Sequence, residues 1–150
     1  MAVSLPGKLL VAVEGSEPSL RDSSMKAARY ALKLASASHA SLVAICVVQI
    51  PEYIEENTRA SLRDELFRKS RGTLDEIEGL SSKSGVKFAS KVIETSGGIS
   101  TAICSFAERE NVDLVVLGTR SATSSLTKMM LGSVASGVVG NAHCPVLVVR

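Results

Sequence analysis

A chain of 150 residues, 45% apolar and 21% charged, is long enough to bury a core without disulfide or metal staples and reads as a single domain over 1-150. Aromatic residues make up only 3% and Trp is absent, which argues against single-stranded nucleic-acid platforms built on stacked rings. The net charge is +2, and Lys and Arg are mixed with Asp and Glu, so no basic stripe points to nucleic acid.

Leu9 to Val13 is a continuous apolar run, the pattern of a strand buried on both faces, and it stops at Glu14-Gly15-Ser16-Glu17-Pro18. Pro18 in a first turn, with Ser19 and Asp22 nearby, starts a helix whose Met25, Ala28, Leu32 and Ala35 share one face. Ser41 to Val48 is the second buried strand, ended by Pro51. The next helix spaces Leu62, Leu66, Leu74, Ile77 and Leu80 along one face and is broken by Gly72. Its charged residues read as a solvated face with local ion pairs. Ser81 to Gly85 is a turn. Lys87 to Glu94 alternates polar and apolar, which predicts a third strand at or near a sheet edge. Gly97-Gly98 opens a third helix carrying Ile99, Ile103 and Phe106. Asn111-Val112-Asp113 leads into a fourth strand that breaks at Gly118, followed by a polar segment from Thr119 to Lys128. Gly132-Ser133 opens a fourth helix, and Pro145 to Val149 is the fifth strand.

Strands alternating with helices predict an α/β fold: a doubly wound five-stranded parallel sheet with helices on both faces. In such sheets ligands sit beyond the carboxyl ends of the strands, where the strand order reverses. For the order 3-2-1-4-5 that point lies between strands one and four, with Glu14 opposite Gly118. The strand-Gly-loop-Gly-Ser-helix pattern falls at the same place. Glycines admit a close anion, and a helix N-terminus aims unpaired N–H groups at it. The fifth strand is an edge in this order, and an apolar edge predicts pairing with a second copy. Cys46, Cys104 and Cys144 have no CxxC or Cys/His ligand spacing, so neither a disulfide nor a zinc framework is expected. His39 and His143 read as turn residues. No run approaches membrane-spanning length and no basic leader precedes an apolar core, so the expected compartment is cytoplasmic, with no membrane partner.

The chain resembles the universal stress protein family over nearly its whole length. The resemblance rests on Leu-Leu-Val-Ala-Val-Glu-Gly-Ser-Glu-Pro-Ser near the start and on Asn-Val-Asp-Leu-Val-Val-Leu-Gly-Thr-Arg. It rests also on the ending Leu-Gly-Ser-Val-Ala…Ala-His-Cys-Pro-Val-Leu-Val-Val. It implies the 3-2-1-4-5 sheet and a homodimer through the last strand, Pro145 to Arg150. In one branch it implies ATP bound by a G-x2-G-x9-G-[ST] loop; another branch lacks the loop and is not expected to bind ATP. Here Gly118 supplies the first glycine and Gly132-Ser133 the final pair, but Ser121 stands at the middle position with ten residues between it and Gly132. The loop is one residue longer, or its glycine has become Ser121 or Ala122. A Cβ there holds phosphates further off and weakens nucleotide binding. Glu14 stands where ATP-binding relatives usually carry aspartate. It either contacts the base or ribose, fills part of the cavity, or only caps the following turn.

Carried over residue by residue, the resemblance implies ATP or another adenine nucleotide as cofactor, with Mg2+ accompanying ATP. Ser133 would donate its hydroxyl, and the N–H groups of Thr119, Ser133 and Val134 would hold phosphate oxygens. Ala12, Val13, Val47 and Val134 would wall the pocket, and Arg120 and Lys128 would supply charge. No G-x4-G-K-[ST] loop or nucleophile-base pair is present, so the expectation is a binding module or switch, not an enzyme. The rival expectation is a structural or partner-binding dimer with a closed crevice. A third reading, an enzyme acting on a phosphorylated small molecule, lacks a catalytic constellation. A protein partner is left open.

Overall fold

In a computed structural model, which describes residues 4–14, 18–119 and 131–150, the apolar runs pair into one sheet. The elements follow in order as β1 (Lys8–Val13), α1 (Pro18–Ser38), β2 (Ser41–Gln49), α2 (Glu56–Ser82) and β3 (Phe88–Thr95). Then come α3 (Ile99–Arg109), β4 (Leu114–Gly118), α4 (Ser133–Asn141) and β5 (Val146–Val149). The strand order is β3-β2-β1-β4-β5 and every pairing is parallel. Sheet order, strand direction and the helices on both faces therefore agree with the sequence expectation.

Side chains of a strand alternate between faces, and this splits the core in two. Leu9, Val11 and Val13 of β1, with Leu42, Ala44 and Cys46 of β2, meet Met25, Ala28, Leu32 and Ala35 of α1. Leu10 of β1, with Val43, Ile45 and Val47 of β2, faces Ile103 and Phe106 of α3 and Ala135 and Val138 of α4. The alanines of α1 let its backbone lie close to the sheet. β1 and β2, buried on both faces, are read from their unbroken apolar runs. β3 alternates half-buried and exposed positions because it is an edge.

One expectation fails on α2. Gly72 does not break it; the helix is continuous from Glu56 to Ser82. A glycine weakens a helix by about 1 kcal/mol relative to alanine. Ser70, Thr73, Leu74, Ile77 and Ser81 all bury on the same helix, and burial of Leu74 and Ile77 alone outweighs that, at roughly 1.5–3 kcal/mol each. Tertiary packing overrides propensity. Glu55 starts the helix by accepting from the N–H groups of Asn57 and Thr58, both at 3.1 Å, which holds its carboxyl below the usual range.

The buried stripe of α2 is not wholly apolar. Ser70 is 1% exposed, and among the described residues its Oγ has no hydrogen-bond partner beyond the weakly bonding Cys46 thiol beside it. A buried hydroxyl so poorly partnered opposes folding. Ser70→Ala is therefore expected to raise the unfolding free energy by about 1 kcal/mol. Urea denaturation of the two proteins checks it, and a lower midpoint in the variant would contradict it.

At the lower end of the sheet Asp113 pins β1 to β4. Its Oδ2 accepts from the N–H groups of Gly7 and Lys8 at 2.8 and 2.9 Å. This sets the register in which Leu9 pairs with Leu114 and Ala12 with Leu117, and so fixes which residues end level with one another at the upper end.

Candidate functional site

β2 lies on one side of β1 and β5 on the far side of β4, so the crossovers leave these two neighbours in opposite directions. Their carboxyl ends border a crevice, the general ligand position of open α/β sheets. Ala12, Val13 and Glu14 close β1 there, Val47 stands on β2, Gly118 and Thr119 close β4, and Gly132, Ser133 and Val134 open α4. All of these line one cleft. Arg120, Ser121 and Lys128, also named from the sequence, lie outside the described residues, as do Ala122 and residues 15–17.

Gly132 is the N-cap of α4, with φ 88° and ψ 160°, a conformation open essentially to glycine alone. Among the described residues no side chain caps this end. The first helical bond runs from the N–H of Ser136 to the carbonyl of Gly132 at 3.0 Å. The N–H groups of Ser133, Val134 and Ala135 precede that bond and have no acceptor within the helix. The end of α4 is thus an arc of donors with a partial positive charge, turned toward the cleft.

Two of the sequence assignments change. The N–H of Thr119 is not available to a phosphate: it donates to the carbonyl of Val149 at 3.1 Å, extending the β4–β5 ladder. Gly118 has a packing reason that the sequence could not supply. A Cβ built there would stand 2.5 Å from the carbonyl oxygen of Ser23 and 2.9 Å from its carbon, so α1 passes over β4 where only glycine fits. A glycine-to-anion argument explains Gly132 and is not needed for Gly118.

The walls contain residues that the sequence reading missed. α1 contributes Leu20, Ser23 and Ser24, α3 contributes Ile99 and Ile103, and Leu117, Leu131 and Ala135 complete the lining. A signal for Ser24 was present: it lies four residues before Ala28, a polar residue on an otherwise apolar helical stripe. The two serines are already engaged. Ser23 Oγ donates to the carbonyl of Leu20 at 3.1 Å, and Ser24 Oγ accepts from the N–H of Glu14 at 2.8 Å.

Among the described lining residues Glu14 is the one carboxylate, and none is Lys, Arg or His. Its negative potential reaches the sheet interior. The buried Cys46 thiol is pushed up to about 12, first by desolvation and then by the Glu14 carboxylate. No group of three or more His, Cys, Asp or Glu able to hold a metal occurs among the described residues. The arrangement offers an apolar slot, an anion-accepting helix end and one acceptor carboxylate. Those properties suit a ligand with a flat apolar part, polar donors and an anionic group.

Residues 7–150 match the universal stress protein family. The chain is 33% identical over 146 residues to Universal stress protein MJ0531 of Methanocaldococcus jannaschii, covering 95% of this chain and 81% of that one. It is 31% identical over 153 residues to Universal stress protein YxiE of Bacillus subtilis, covering 95% and 98%. Its fold matches UspA from Lactobacillus plantarum with TM-score 0.77 at 23% identity, over 99% of this chain and 100% of that one. A universal stress protein solved in complex with cAMP matches with TM-score 0.73 at 23% identity, over 98% and 99%. A family protein from Arabidopsis thaliana with AMP bound matches with TM-score 0.68 at 22% identity, over 96% and 91%. With the family match spanning the sheet and every helix packed on it, the chain belongs to the universal stress protein family.

Proposed function

We propose that this protein is an adenine-nucleotide-binding module or switch that works as a cytoplasmic homodimer, without catalytic turnover of its own. One observation carries the reading: the N-terminus of α4, opened by Gly132 and without a side-chain cap among the described residues, faces an apolar cleft at the reversal of strand order. Solved proteins of the same fold hold AMP or cAMP, which supports the same ligand class here. In this reading the N–H groups of Ser133 and Val134 receive phosphate oxygens and the Ser133 hydroxyl adds a donor. Ala12, Val13 and Val47 wall the base. Arg120 and Lys128 add charge, and Mg2+ arrives with ATP on the nucleotide's own phosphates.

Titration of nucleotide-stripped protein with AMP, ADP and ATP by calorimetry, with and without Mg2+, tests this. Saturable binding at or below millimolar concentration is the expected result. Its absence would favour the rival reading, a partner-binding dimer of the same fold. Two observations favour that rival: the amide of Thr119 is held within the sheet, and Glu14 brings negative charge to the cleft.

The proposed dimer joins two copies through β5. In a parallel strand the N–H and C=O of one residue point to the same side. Pro145 and Val149 direct their carbonyls to β4, so Val146 and Val148 turn theirs to the open edge. Val146, Leu147 and Val148 are only half-buried in the single chain. Val148→Pro removes an outward donor without touching the β4 ladder. It is expected to shift the sedimenting species from dimer to monomer, with the far-ultraviolet circular dichroism retained; a parent chain that sediments as a monomer ends the dimer proposal. For the compartment, no helix among the described residues is long and apolar enough to cross a membrane, and the three free cysteines are ordinary usage in a reducing one.

A further inference from the structure

We propose that Ser24 is a positioning residue of the cleft, holding the backbone of Glu14 so that its carboxylate meets the ligand from a fixed place. The proposal rests on the adenine-nucleotide reading given above. Glu14 follows Val13, the last residue of β1, whose partner on β2 is Cys46. Beyond that pair the ladder stops and the next N–H needs another acceptor. Ser24 provides it at 2.8 Å from the buried face of α1, its residue only 6% exposed.

Packing does not account for a hydroxyl here. Ala27, Ala28, Ala31 and Ala35 fill the same helix face with full burial, so alanine at residue 24 would continue the stripe. The neighbouring residue explains why the hydroxyl is so well placed. The backbone of Ser23 rests on Gly118, close enough to exclude any Cβ, and this seats α1 on β4. Consecutive residues of one helix therefore tie down the ends of both strands that border the cleft.

The chemistry divides the cleft. A carboxylate accepts hydrogen bonds and repels anions, so Glu14 suits the hydroxyl or amino donors of a nucleoside. The helix end at Gly132 suits the phosphate. Holding Glu14 in place keeps the two recognition elements apart.

The test is a double-mutant cycle with AMP as the probe, read by calorimetry. Ser24→Ala is expected to weaken AMP binding by roughly three- to tenfold, the effect of one lost hydrogen bond. In a Glu14→Ala background the same change should have less than about a twofold effect, within the additivity error of such cycles. Ser24→Thr should restore affinity, and its isostere Ser24→Val should not. That matched pair makes the comparison if the alanine variant fails to fold. Hydrogen exchange at the Glu14 amide should accelerate in Ser24→Val and stay slow in Ser24→Thr. Equal losses in both backgrounds, or no loss in either, overturn the positioning role and leave nucleotide binding standing. A parent chain without saturable AMP binding overturns both.

Discussion

Gly118→Ala is expected to lower the unfolding free energy by about 3 kcal/mol, the upper end for inserting a methyl group into close-packed surroundings. The new Cβ would lie 2.5 Å from the Ser23 carbonyl oxygen, and the obstacle is helix backbone, not a side chain that can rotate away. α1 would have to lift from β4, opening contacts made by Met25, Ala28 and Leu32 in the layer below. For a domain of this size the change corresponds to a fall in Tm of roughly 6–12 °C. Differential scanning calorimetry reads it directly. A variant melting within a degree or so of the parent would show that α1 has room to move, contrary to the close approach at Ser23. The same clash makes Gly118 a poor position at which to probe ligand binding, because lost affinity there would report lost folding.

Gly132→Val should behave in the opposite way. Among the described residues nothing lies within 4 Å of a Cβ built at Gly132, so a side chain meets no obstacle there. Its backbone is the difficulty, at φ 88° and ψ 160°. A residue other than glycine in that region is strained by about 1–3 kcal/mol. The chain can hold the conformation under strain, or relax and swing the first turn of α4 out of line. In both cases the strain opposes the ligand-competent form. AMP affinity should fall by roughly 5- to 150-fold, the equivalent of that strain. Because the added side chain meets no described atom, the melting temperature should move less than in Gly118→Ala. Calorimetric titration beside a thermal melt separates the two glycines. Undiminished affinity in Gly132→Val would remove the α4 terminus from the binding site.

These contrasting expectations mark where sequence reading was strong and where it stopped. β1 and β2 were legible because strands buried on both faces leave unbroken apolar runs, as from Leu9 to Val13. β3 was legible as an edge because Lys91 and Glu94 interrupt its apolar positions. Gly72 misled because a local propensity of about 1 kcal/mol was weighed without the packing that exceeds it. At the site, the strand ends and the Gly132-Ser133 helix start named from the sequence line one cleft, since turn chemistry is local. Leu20, Ser23, Ile99 and Ile103 were not found, because helical spacing gives a face but not which residue reaches the top of the sheet. Gly118 and Thr119 line the cleft, but the Gly118 backbone meets Ser23 of α1 and the Thr119 amide is bonded within the sheet. An anion and a crossing helix both demand glycine, and only coordinates distinguish them.

The cleft has one property that follows from the two-layered core. Val13 belongs to the hydrophobic layer under α1, whereas Val47, Ile103, Leu117 and Ala135 belong to the layer under α3 and α4, yet all five border the same hollow. Elsewhere the sheet separates these layers. A guest in the hollow touches both. Occupancy would then stabilise both layers together, on opposite sides of the sheet.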